Sequence, residues 1–302
     1  MSNSLKIVNI NKTQQHPFHV LTSSKLPMFM SLFAGCTALL FVAKLHATTT
    51  VGNLNSAIVA QLVAPFFEVA NLAYVSTDIL VLVGIICAII VMASWSYNLV
   101  KEAGSEGRHT LRVQLALKYG MLLFLVSEAM LFFPFFWSFF HGALSPSISI
   151  GGVWPPVGIK GIEVLDPFML PLVNTVVLLC SGVAVVAAHR AIIAGYLPVI
   201  SNMMYIAISF GIFFSWLQFL EYGLTKFTIS DSLYGSSFFM LTGLHGFHVI
   251  VGTTLLAISY FRAVNYDFST GHHIGFETAA WYWHFVDVVW LGVFALVYIW
   301  GG

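Results

Sequence analysis

Residues 279–290 read AAWYWHFVDVVW, and this stretch decides what kind of protein the chain is. It lies inside a last apolar segment, 278–300, and a helix that crosses a bilayer needs about 20 mostly apolar residues. His284 and Asp287 interrupt it three positions apart, on one face of a helix, where they can bond each other or reach a neighbouring helix. An ionisable group in hydrocarbon costs several kcal/mol, so each needs a partner, water or a purpose. The aromatic side chains around them mark a surface that packs on other helices rather than on bare lipid.

Composition points the same way. Of 302 residues, 59% are apolar and 8% are charged, with no net formal charge. Soluble proteins carry about 25% charged residues, so a water-facing surface cannot be built here and the membrane is the solvent. The neutral balance leaves no basic face for nucleic acid. Cys36, Cys87 and Cys180 fall in apolar runs and form no C-x-x-C pair, so they are expected to be small apolar packers rather than redox or zinc ligands. The first 25 residues are polar and carry Lys6, Lys12 and Lys25, without the apolar core of a secretory signal or the Arg-rich look of a transit peptide. The expected origin is a bacterium or synthesis inside an organelle.

Seven spans are expected, at 26–46, 79–100, 116–140, 168–189, 200–222, 237–261 and 278–300. Residues 57–75 are apolar but contain Gln61, Pro65, Glu68 and Asn71, and read as an interfacial or re-entrant piece. Charge placement supports seven rather than eight. Nine basic residues (Lys6, Lys12, Lys25, Lys101, Arg108, Arg112, Lys118, Arg190, Arg262) fall on the side of the N-terminus, and three (Lys44, Lys160, Lys226) on the other. An eighth span at 57–75 would largely erase that bias. The N-terminus is therefore expected inside and the C-terminus outside. No repeat or soluble domain is visible, so the fold class is all-α: one polytopic bundle. Gly84, Gly182, Gly211, Gly243, Gly246 and Gly252 are expected to let helices approach closely.

Several polar residues sit at membrane depth. Glu128, in the middle of the third span, is cheapest there as the neutral acid. It is either a hydrogen-bonded structural group or a site of proton handling. Pro134, six residues on, frees the carbonyl of Met130. His245 and His248 share one face of the sixth span and read as a structural pair. A metal site would need further ligands, from Glu128, His284 or Asp287. Glu221 and Tyr222 end the fifth span, where Glu221 reads as an ordinary interfacial acid. Lys101, Glu102, Arg108, His109 and Arg262 lie beside span ends and can meet lipid headgroups or simply anchor the helices.

The final motif, with HPFHVL (16–21), SEAMLFFPFFWSFFH (127–141), GGVWPPVGI (151–159), PLVNTVVLLCSG (171–182) and GSSFFMLTGLHGFHVIVGT (235–253), resembles subunit III of cytochrome c oxidase over nearly the whole chain. The departure is at about 47–78, longer than the usual loop between the first two spans. The resemblance implies a two-helix plus five-helix arrangement enclosing a V-shaped, lipid-filled cleft. The corresponding segments are a polar tail (1–25), a helix pair (26–100) joined by the 47–78 loop, and a five-helix bundle (101–302). It implies no metal, haem or copper on this chain, with haem and copper on partner subunits, bound phospholipid, and packing against the catalytic haem–copper subunit and other oxidase subunits. Cytochrome c would be met only through the complex. Glu128 falls at the family's buried membrane acid, and His245 and His248 at its sixth-helix pair. Glu102, His109 and Arg262 fall at or near lipid-headgroup positions. Trp95 falls at an aromatic of the second helix, where Ser96 stands in place of a second one. Glu221, His245, His248, His284 and Asp287 are the candidates for an interhelical polar network. The implied location is the mitochondrial inner membrane with the N-terminus in the matrix, or alternatively a bacterial plasma membrane.

Three rivals fit less well. A haem–copper chain needs several deep His ligands on several helices, and only His245, His248 and His284 are clearly deep. A retinal protein needs a Lys in the last span, and 278–300 has none. A transporter would show inverted repeats and broken helices. Topology offers a direct check. In sealed vesicles, tags on the two termini should be cut by external protease at one end only, whereas equal accessibility of both ends would mean an even number of spans.

Overall fold

Long apolar runs become long helices because backbone groups in hydrocarbon must bond within their own segment. The computed structural model describes residues 23–49, 77–104, 107–160 and 164–302. Seven long helices are present among them: α1 (Leu26–Thr49), α2 (Thr77–Ala103), α3 (Leu111–Leu144), α4 (Leu170–Ala194), α5 (Leu197–Leu224), α6 (Leu233–Val264) and α7 (Ile274–Val293). A π turn, Phe294–Ile299, extends α7. Six are long and apolar enough to cross a membrane, and α1 adds the shorter apolar stretch Leu26–Val42. The protein is thus an all-α, multi-pass membrane protein. The 57–75 segment, the HPFHVL motif and most of the 47–78 connection lie outside the described residues.

The chain divides into two compact units, one running to Val113 and one comprising Gln114–Gly302. In the first, α1 and α2 pack on each other, with Gly84 of α2 seated against the side chain of Thr37. The outward faces stay bare: Ile79, Leu82, Ile86 and Ile90 are all exposed. Cys36 is exposed and Cys87 half-buried, and in the second unit Cys180 is exposed. Cys36 and Cys180 therefore face outward instead of filling the interior.

In the second unit α4, α5, α6 and α7 close a ring of neighbours, since α4 contacts both α5 and α7, and α6 contacts α5 and α7. Local signals place the turns. Gly195 ends α4 with φ 75°, and its N–H bonds the carbonyl of Ile192. Only a residue without a Cβ takes that backbone cheaply. Pro198 then opens α5 in its first turn. The hydroxyl of Ser232 accepts from the N–H groups of Tyr234 and Gly235 and caps α6.

The interior of the ring is organised by Trp283 of α7, which is fully buried. Its Nε1–H donates to Ser181 Oγ of α4 at 3.0 Å, and Ser181 donates onward to the Ala207 carbonyl of α5 at 3.0 Å. The indole lies against Gly211 of α5 and Gly252 of α6, where an added Cβ would come within 2.7 and 2.8 Å of the ring. Seven residues on, Trp290 Nε1 donates to Thr175 Oγ1 of α4 at 2.9 Å. Gly182 faces Asp287. Gly243 and Gly246, expected at close approaches, are not: Gly243 meets only the Tyr222 hydroxyl at 3.9 Å, and Gly246 has nothing within 4 Å.

Against this ring α3 packs through aromatic side chains. Phe132 meets Phe285, Phe124 stacks on Tyr282, and Phe139 meets Trp154, Tyr234 and Trp300. Pro134 lies inside α3, which stays continuous through it. Overpacking a close contact costs about 1–3 kcal/mol. Gly252→Ala should lower the thermal unfolding midpoint in detergent by that equivalent, while Gly246→Ala, with open space around it, should leave it within error.

Candidate functional site

Glu128 of α3 meets His248 of α6, with Oε2 2.7 Å from Nε2. The second ring nitrogen, Nδ1, lies 2.8 Å from the Leu244 carbonyl, an acceptor only, and so carries a hydrogen. One further proton is then shared between Nε2 and the carboxyl group. Either a neutral acid donates to a neutral imidazole, or an imidazolium faces a carboxylate, and the net charge is zero in both cases. The imidazole is enclosed by Phe132, Tyr282 and Phe285. Its side chain is 3% exposed, whereas that of Glu128 is 21% exposed. The acid expected to be buried is therefore partly open at the surface of this chain.

The two histidines of H-x-x-H go to different places. His245 Nε2 lies 3.2 Å from the Val286 carbonyl of α7, and its ring packs on Trp290 and Phe214. His284 and Asp287 bond locally, Nδ1 to Oδ2 at 3.4 Å, with side chains 40% and 9% exposed. Asp287 Oδ1 is buried without a hydrogen-bond partner. Glu128, His245, His284 and Asp287 do not gather around His248 as a ligand set. Among the described residues the His/Cys/Asp/Glu cluster with metal-ligand spacing is elsewhere, at His189, His273 and Glu277.

Glu221 corrects the reading of an interfacial acid. Its residue is 0% exposed. Tyr298 Oη donates to Glu221 Oε1 at 2.5 Å, and Gln218 Nε2 reaches the same oxygen at 3.4 Å. Gln218 Oε1 accepts from Asn174 Nδ2 at 3.4 Å, so the chain of polar groups links α4, α5 and the π turn. Beside it Tyr222 Oη donates to Thr242 Oγ1 of α6 at 2.8 Å. The helix end that suggested solvation is covered by neighbouring helices.

The headgroup candidates fall in both units. Trp95 is exposed on α2, Glu102 is half-buried at its end, and His109 is buried just before α3. In the second unit the Arg262 guanidinium lies over the Phe268 ring, 4.6 Å from its centre. Arg262 Nε stands 3.8 Å from Asp267 Oδ2, an ion pair too long for a hydrogen bond. In the adjoining loop, burial and then the Arg262 charge push the His272 imidazole below its ordinary pKa.

The family model for cytochrome c oxidase subunit III matches residues 54–302. The chain belongs to that family. Cytochrome c oxidase subunit 3 of Prototheca wickerhamii is 43% identical over 289 residues, covering 96% of this chain and 99% of that protein. Its counterpart in Arabidopsis thaliana is 43% identical over 291 residues, with coverage of 96% and 99%. That of Dugong dugon is 49% identical over 225 residues, covering 74% and 85%. Within this subunit III chain the Glu221 network makes a measurable claim. Leaving a buried polar group unsatisfied costs about 1–3 kcal/mol. Tyr298→Phe removes the short donor to Glu221, so it should lower thermal stability by that amount, and Glu221→Leu in the Tyr298→Phe background should recover part of it.

Proposed function

We propose that this chain is a non-catalytic core subunit of the respiratory terminal oxidase, complex IV, which reduces oxygen to water with proton pumping. The observation that carries the reading is the match to cytochrome c oxidase subunits along almost the full length of the chain. In this reading the chain stabilises the catalytic haem–copper subunit and meets cytochrome c only through the assembled complex. Haem and copper belong to the partners, where they supply the redox chemistry. The relatives from a green alga, a plant and a mammal favour the mitochondrial inner membrane, with the N-terminus in the matrix.

The proposed architecture is a 26–100 helix pair with its long 47–78 connection, set apart from a 101–302 five-helix bundle by a V-shaped cleft filled with phospholipid. Trp95, Glu102, His109 and Arg262 would meet its lipids. Bare apolar faces such as Ile79, Leu82, Ile86 and Ile90 on α2 suit acyl chains. Dioxygen is apolar and dissolves better among acyl chains than in water, so held lipid would serve as a reservoir and path for it. Glu128, sharing a proton with His248 and partly open on one side, has the chemistry of a group that supports proton uptake. Glu221 and His245 hold the helices in register around it, whereas among the described residues His284 and Asp287 bond within α7 and do not join the interhelical network.

The test is made on the assembled oxidase. Glu128→Gln combined with Arg262→Met, which removes the headgroup contact, should weaken apparent oxygen affinity and shorten the time to inactivation during turnover severalfold, with haem content unchanged. Oxygen affinity, turnover and inactivation all equal to the parent enzyme would contradict an active role and leave a scaffold.

A further inference from the structure

A second polar cluster lies away from the Glu128–His248 pair. Lys118 is near the start of α3, His189 near the end of α4, and His273 and Glu277 at the start of α7. A chain that alternates across the bilayer brings these three helix ends to one membrane face. One ligand atom from each of His189, His273 and Glu277 falls within 4.8 Å of the other two. His273 Nε2 and Glu277 Oε1 are 3.3 Å apart. That is the edge of a tetrahedron whose metal–ligand bonds are about 2.0–2.1 Å, an edge of about 3.3–3.4 Å.

Hydrogen bonding gives an independent reason to expect a cation. His273 Nδ1 lies 3.1 Å from the Ser269 carbonyl, which can only accept, so Nδ1 carries the hydrogen. In the neutral ring, Nε2 then presents a lone pair to a carboxylate oxygen that is also an acceptor. Two acceptors at 3.3 Å need a positive charge between them, either a proton or a metal ion. His189 adds a buried Nε2 without a hydrogen-bond partner, on a ring whose centre is 5.4 Å from that of His273. The Ser269 bond is also what a metal-bound histidine uses to fix its tautomer and orientation. Lys118 Nζ sits 2.5 Å from Glu277 Oε2, which leaves Oε1 for the ion.

We propose that His189, His273 and Glu277 form a binding site for a divalent transition metal, zinc by its match to two imidazoles and one carboxylate, with the fourth position left for water. Lys118 opposes the ion, since its ammonium group repels a dication bound to the same carboxylate. The site requires no contribution from the Glu128 pair, and it stands whether or not the lipid-cleft reading holds.

The full chain, tagged and purified from its membrane with the subunits bound to it, is washed with chelator and titrated with radioactive Zn2+ by equilibrium dialysis. One tight site per chain is expected. It should be lost, or weakened at least about tenfold, in His189→Asn, His273→Asn and Glu277→Gln, by analogy with the loss of a metal ligand or its support. Lys118→Met should tighten it about tenfold, a gain that misfolding cannot produce. Equal zinc binding by the parent and the three ligand variants would overturn the site and leave a His–Glu ion pair only. If the ligand variants fail to assemble, Lys118→Met decides: tighter binding supports the site and unchanged binding overturns it.

Discussion

One side chain touches every helix of the α4–α7 ring. Trp283 leaves α7, bonds Ser181 on α4, and lies against Gly211 on α5 and Gly252 on α6. Lipid tails are as apolar as the helices, so association depends on close packing and on hydrogen bonds made inside the bundle. The indole supplies both. Its flat face needs glycine opposite, and its N–H needs an acceptor that is itself satisfied, which Ser181 becomes by donating to Ala207. The contact also sets the register of α6. Gly252, His248 and His245 follow one another at four and three residues along one face. Seating Gly252 on Trp283 therefore sends His245 to Val286 and His248 to the junction with α3, where Glu128 waits.

Hydrocarbon imposes a second discipline: ionisable groups are paired or hydrogen-bonded. Glu128 and His248 share one proton, and Glu221 is held by Tyr298 and Gln218 without a cation nearby. The cluster around Lys118 differs, because it combines a cation, a carboxylate and two imidazoles near three helix ends. The interior polar groups hold the bundle together, whereas the helix-end cluster is the one we propose to take up an ion.

Six of the expected spans were legible as helices long and apolar enough to cross a membrane, and the first as a shorter apolar stretch, because each is a run of apolar residues bounded by charge or by Gly and Pro. The lengths were not. α3 and α6 run for 34 and 32 residues, well past their apolar cores. Residues such as Gln114, Lys118 and Arg262 continue the helix beyond the apolar run, where hydropathy falls but the backbone bonds persist. In the site, pairs on one helix were readable from spacing, as for His284 and Asp287. Pairs across helices were not, because Glu128 and His248 are 120 positions apart and Glu221 and Tyr298 are 77 apart. Glu221 belongs to the interhelical network the resemblance pointed to, but its burial is not legible, because a position near a helix end says nothing about which neighbour covers it. His189, His273 and Glu277 went unnoticed because only the His273–Glu277 spacing is local.

Family membership, the close-packed interior of the α4–α7 ring and the bare outer faces of α2 describe one kind of molecule: an oily chain packed inside and apolar outside. Under the proposed function such a chain sits beside a haem-bearing neighbour. The direct measurement is to tag this chain, extract it gently from its native membrane, and record the visible spectrum and subunit content of what it carries. The account predicts a haem–copper oxidase subunit in one-to-one ratio, with its haem bands intact. Recovery of the folded chain with no haem-bearing partner would contradict it.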